Sequence, residues 1–97
     1  MHARVTRLEA SADQLDEMTR QFEAHTVAVL EGLDGYQGYH LLGDRTSGVA
    51  MAITYWESKE ALQASEDAVA PERERAAEAA AAASRPTVER YEVVSSS

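Results

Sequence analysis

The 97-residue chain has no cysteine, which excludes disulfide bonds and thiolate chemistry and leaves the redox compartment unmarked. It has no asparagine either. Positive charge is scarce: nine Lys and Arg stand against seventeen Asp and Glu, for a net charge of −8. That balance argues against binding nucleic acid through its phosphates, which needs a basic patch, and against docking on anionic membranes. No stretch is long and apolar enough to cross a bilayer, and residues 1–10 lack the apolar core of a signal peptide. A cytoplasmic location is therefore expected. The three histidines are scattered with no metal-ligand spacing, and no glycine-rich phosphate loop follows a strand, so neither a metal nor a cofactor is expected.

What is present is enough for a folded domain. The composition is 44% hydrophobic and 27% charged, an ordinary globular balance. The segment Gly48 to Lys59, GVAMAITYWESK, organises the reading. Val49, Met51, Ile53 and Tyr55 occupy one strand parity, and Ala50, Ala52, Thr54 and Trp56 the other. Both faces of this strand are thus largely apolar, and a single helix layer covers only one. The second face calls for a second copy of the chain.

In chain order, His2 to Glu9 reads as a first strand, and Ser11 with Gln14 forms a capping-box pattern that opens a helix. Leu15, Met18, Phe22, His25 and Val29 then share one helical stripe, which ends near Glu31 before the turn glycines Gly32 and Gly35. Tyr36 to Gly43 is a second strand, joined to the central one by Asp44 to Ser47. A hairpin closing symmetrically about that loop sets Tyr39 opposite Ala52 and Leu41 opposite Ala50 on the Trp56 face. It sets His40 opposite Met51 and Tyr36 opposite Tyr55 on the other face, where a one-residue slip would exchange the two. Ser58 caps a short helix, Lys59 to about Gln63. Pro71 suits the first turn of a longer helix, with Glu72 to Ala83 strongly helical until Arg85-Pro86 ends it. Thr87 to Val94 is the last strand.

The order is βαββαβ, an α+β ferredoxin-like sandwich: a four-stranded antiparallel sheet with helices on one face and the first and last strands flanking the hairpin. Residues 1–94 form one domain and 95–97 a tail. On the Trp56 face, Phe22, Tyr39, Leu41 and Trp56 are the candidates for binding an aromatic ligand; each is equally a packing residue. His25, on the apolar stripe, is a candidate general base, since a neutral imidazole can take a phenolic proton; it is equally a core histidine with locally satisfied nitrogens. Tyr36, His40, Val49, Met51, Ile53 and Tyr55 are placed at a subunit interface, where aromatics and Met are enriched.

With that topology and the run TYWESKEAL, in which Trp56-Glu57-Ser58 closes the third strand, the chain resembles the antibiotic biosynthesis monooxygenase superfamily of the dimeric α/β-barrel group. The resemblance implies a homodimer paired sheet to sheet into a barrel. It implies a cofactor-independent monooxygenase that oxidises a small aromatic, polyketide-like phenol with molecular oxygen, with Trp56 at the site. The haem-degrading branch uses an asparagine on the first strand and a histidine on the last long helix. This chain has neither, so haem degradation is not expected. The alternative is a non-catalytic dimeric barrel that binds a small hydrophobic molecule or serves in stress.

Overall fold

A computed structural model describes residues 1–80 and 85–97. Strand β1 (His2–Glu9) leads through a 3-10 turn (Ala12–Gln14) into α1 (Leu15–Gln21), a π-helical turn (Phe22–Thr26) and α2 (Val27–Glu31). Strands β2 (Tyr36–Gly43) and β3 (Val49–Trp56) form the hairpin; α3 (Lys59–Ala64), α4 (Glu66–Ala79) and β4 (Thr87–Glu92) follow. All pairings are antiparallel, in the order β2-β3-β1-β4. The element order and the four-stranded α+β sandwich agree with the sequence reading, and the sheet is open. One detail differs: β1 and β4 both lie on the β3 side of the hairpin, so β2 is an edge strand. The part of the expected last helix that falls at 81–83 lies outside the described residues. No helix among the described residues is long and apolar enough to cross a membrane.

The local chemistry accounts for most of the boundaries. The Ser58 hydroxyl accepts from the Ala61 amide at 3.1 Å and caps α3. Ser11 precedes the first helical turn, but its side chain makes no capping bond. Pro71 lies inside α4 rather than in its first turn, because the helix already begins at Glu66. A proline removes one amide donor, and the helix nonetheless runs on to Ala79, with Val69 and Glu72 buried on either side of Pro71.

The hairpin closes two residues away from the symmetric pairing, with Tyr39 opposite Thr54, Leu41 opposite Ala52 and His40 opposite Ile53. The reason is Gly48. It sits at φ +83° within the turn, where a side chain would collide with the Ala10 carbonyl, and its amide donates to the Asp44 carbonyl at 2.7 Å. An offset of two keeps parity, so those residues keep their faces. Tyr36 does not. A bulge between Tyr36 and Gly38, with Gly38 at φ +133°, adds a residue and turns Tyr36 to the Trp56 face. Its ring meets Trp56 edge-on at 5.6 Å and packs on the buried cluster Leu30, Trp56, Leu62 and Val69. The expected interface position for Tyr36 is therefore corrected to the core.

The helices cover the face that carries Arg4, Leu8, Ala50, Thr54 and Trp56, all buried. The opposite face carries Val5, His40, Leu42, Val49, Met51, Ile53, Tyr55 and Tyr91, with no element across it among the described residues. Leu42 and Tyr91 are 50% and 52% exposed. Apolar residues on both faces of β3 thus meet two different environments.

Candidate functional site

Between the covered face and the helices lies a cavity of about 240 Å³. Its floor comes from β1 and β3, where Thr6, Ala50, Ala52 and Thr54 are short enough to leave space between sheet and helices. Leu15, Met18 and Phe22 wall it from the first helical segment, Leu41 from the edge strand, and Val69 and Ala76 from α4. Polar groups enter at defined points: Arg4 from β1, Thr26 from the π-helical turn, and Glu72 and Arg73 from α4. An apolar pocket with a few convergent polar groups is the usual form of a small-molecule site.

The π-helical turn decides which polar residue enters. A wide turn takes up about one extra residue, so the inward stripe continues from Phe22 to Thr26 and Leu30 instead of His25 and Val29. Thr26 and Leu30 are buried and His25 is exposed. The expectation that His25 points at the sheet is overturned, and the histidine is not positioned to act as a base in the cavity. The carboxylate that lines the cavity is Glu72. It is buried, accepts from the Thr26 hydroxyl at 3.2 Å, and is held by Arg75 Nη1 at 2.8 and 2.9 Å.

Arg4 is 1% exposed, and as a buried guanidinium on a strand it was not among the residues the sequence singled out. Its Nη2 donates to the Leu62 carbonyl at 2.8 Å and the Ser65 hydroxyl at 3.0 Å, and lies 3.3 Å from Glu66. Glu66 is also gripped in bidentate fashion by Arg73 at 3.0 Å and approached by Arg90 at 3.6 Å. Burial lowers the Arg4 pKa to about 10, partly offset by Glu66. The hydrogen bonds from Arg73 hold the Glu66 carboxyl below its ordinary value. The signal in the sequence was an arginine at a position whose strand neighbours Ala3 and Val5 are apolar, which alternation alone reads as the wet side.

Of the other expected site residues, Phe22 and Leu41 line the cavity. Tyr39 sits just behind Phe22, with ring centroids 5.0 Å apart. Trp56 is fully buried beside the cavity rather than in its wall; its Nε1 donates to the Thr54 hydroxyl at 3.0 Å, and the Arg4 guanidinium lies 5.8 Å from its ring centre. The indole N–H is therefore used within the protein, and the strand-end anchor is the role its surroundings fit. Among the described residues no group of three or more His, Cys, Asp or Glu could hold a metal ion. His40 and Tyr55 meet on the uncovered face, with Nδ1 3.2 Å from the hydroxyl.

Comparison with known proteins places this geometry in context. Residues 1–78 match the family model for antibiotic biosynthesis monooxygenases. The chain is 36% identical over 93 residues to the uncharacterized protein Rv2557 of Mycobacterium tuberculosis, covering 96% of this chain and 41% of that protein. It thus spans about two fifths of the length of that curated relative. Among solved structures it is similar to the haem degrader MhuD of M. tuberculosis, which holds two haems in its active site. That match has a TM-score of 0.76 and 26% identity, and covers 100% of this chain and 99% of that one. It is also similar to the monooxygenase from the gene ActVA-Orf6 of Streptomyces coelicolor, solved with nanaomycin D. There the TM-score is 0.82 at 10% identity, covering 98% and 88%, a likeness of fold alone.

Proposed function

Because the chain belongs to the antibiotic biosynthesis monooxygenase family, we propose that it is a small monooxygenase that oxidises a phenol with molecular oxygen and without a cofactor. The observation that carries this reading is the cavity itself, with small floor residues under the apolar wall of Met18, Phe22 and Leu41. At about 240 Å³ it falls below the roughly 300 Å³ at which pockets for drug-sized ligands begin, which favours a substrate of one or two rings. Phe22, backed by Tyr39, offers the ring a stacking partner. Glu72 replaces His25 as the group that accepts the phenolic proton. The phenolate then reacts at a ring C–H with oxygen: one oxygen atom enters the quinone, the other leaves as water, and the phenol supplies all the electrons. A haem does not fit these residues. Among the described residues no histidine or cysteine lines the cavity, and its volume is small for a macrocycle.

The uncovered sheet face carries the proposed homodimer, through His40, Val49, Met51, Ile53 and Tyr55. An exposed apolar sheet face of this kind is an association surface by default. A second reading is a non-catalytic barrel that binds a small hydrophobic molecule; the exposed His25 and the internally satisfied Trp56 favour it. Oxygen uptake with 1-naphthol and related phenols decides between the two. The monooxygenase reading expects one oxygen consumed per quinone formed, and loss of most turnover in Glu72→Gln. Phenols that bind without oxygen uptake leave the binding reading in its place.

A further inference from the structure

We propose that Arg4 and Arg73 make this cavity a site for an oxyanion, so that its ligand is an aromatic molecule bearing a carboxylate or an ionised phenol oxygen. The inference names the ligand class of the cavity assigned above and rests on that reading for the ligand's aromatic body.

Arg4, Arg73 and Arg90 converge on one carboxylate, Glu66. The other nearby carboxylate, Glu72, is already held by Arg75. Three guanidinium groups around a single counter-charge leave this spot electropositive, in a chain whose net charge is −8. Folding does not collect cations next to a buried arginine without cost, since burying a charge is unfavourable unless it is paired.

Hydrogen bonding points the same way. Arg4 uses Nη2 alone, while its Nε and Nη1 are buried without a partner among the described residues. The Nε of Arg73 is likewise buried and unpartnered. A guanidinium presents five donors in a planar fork that matches a carboxylate or phenolate oxygen. Buried donors of this kind are nearly always satisfied in native proteins. Both arginines line the cavity, beside Thr54 and Thr6, whose hydroxyls add neutral donors. Trp56 supports the Arg4 charge with its ring in the absence of ligand, which keeps the guanidinium in place. A neutral carbonyl can accept from these donors but leaves the excess positive charge uncompensated, whereas an oxyanion meets both.

The test compares three probes of one shape by calorimetric titration of the purified full chain: 2-naphthoate, its neutral amide 2-naphthamide, and 2-naphthol. We expect 2-naphthoate to bind about tenfold or more tighter than the amide, as charge-assisted hydrogen bonds require. Arg4→Met should abolish that preference, and Arg73→Gln should reduce it. Should Arg4→Met fail to fold by circular dichroism, Arg73→Gln and the wild-type probe comparison carry the test. The absorption of 2-naphthol distinguishes the two oxyanions. A phenolate band at neutral pH, well below the value of roughly 10 for a simple phenol, assigns the phenol oxygen as the recognised group. Preference for 2-naphthoate without that band assigns a carboxylate. Equal affinity for naphthoate and amide, or no binding of naphthoate, with no phenolate band from 2-naphthol overturns the proposal, as does a preference that survives both substitutions. None of these readouts needs turnover, so absent oxygen uptake would remove the monooxygenase reading and leave the oxyanion site standing.

Discussion

Two residues of the sandwich show how a side chain's role follows from its partners. Trp56 is enclosed by Leu30, Leu62, Val69 and Tyr36, and its one polar atom is satisfied by Thr54. As an anchor it contributes through packing, so Trp56→Ala should lower stability by about 3–5 kcal/mol, the range for losing a large aromatic from a core. A urea unfolding curve measures this; a residue that served only a ligand would leave the midpoint unmoved. Glu66 is the second case. Because its folded-state pKa is depressed by Arg73, its stabilising effect is complete above the ordinary carboxylate value and is lost as pH falls through the lower folded value. Glu66→Gln should therefore cost on the order of 2 kcal/mol at neutral pH, below the fully buried range because its side chain is 34% exposed. The variant should also lose less stability than the wild type on acidification, as urea midpoints at neutral and strongly acid pH would reveal.

At the scale of elements, single-residue insertions separate the expected site from the observed one. The π-helical turn rotates the helix so that Thr26 enters the cavity and His25 leaves it. Deleting the exposed Ala24 should return the segment to regular α-helical spacing while keeping Thr26 and Leu30 on the inward stripe. Stability should then stay within about 1 kcal/mol of wild type. Deleting Arg20, in the regular turn before it, should rotate Leu15 and Met18 off the core and cost several-fold more by the same urea measurement. The bulge before Gly38 acts likewise on β2, moving Tyr36 from the uncovered face into the core. Periodicity found the elements, their order and the ends of the helix at Glu31 and of β3 at Trp56. It missed both insertions, because a wide turn and a bulge leave no mark in an apolar-polar pattern that tolerates either spacing.

For the whole molecule, an open sheet with an apolar face that no described element covers predicts association. The chain should sediment as a dimer in analytical ultracentrifugation. Ile53→Glu, a charge at the centre of that face, should yield a folded monomer, verified by circular dichroism. A wild-type monomer at micromolar concentration would remove the sheet-to-sheet dimer. The cavity lies on the other side of the same sheet, so β3 serves both surfaces: Ala50, Ala52 and Thr54 floor the site, while Ile53 and Tyr55 face outward.

Patterning along the chain was enough for the βαββαβ order and the two parities of β3, and it picked out Phe22 and Leu41, which line the cavity. These follow from local rules: side-chain alternation, helical spacing, capping and turn residues act over a few positions and can be read in one dimension. Only the tertiary structure decided the polar half. Arg4 and Glu66 are 62 positions apart in the numbering, and Thr26 and Glu72 are separated by 46. Arg4, Thr26 and Glu72 are buried, and each finds a partner across the sandwich that exists only once sheet and helices have met. The register at Gly48, the wide turn and the bulge then set which side chains share the space between them.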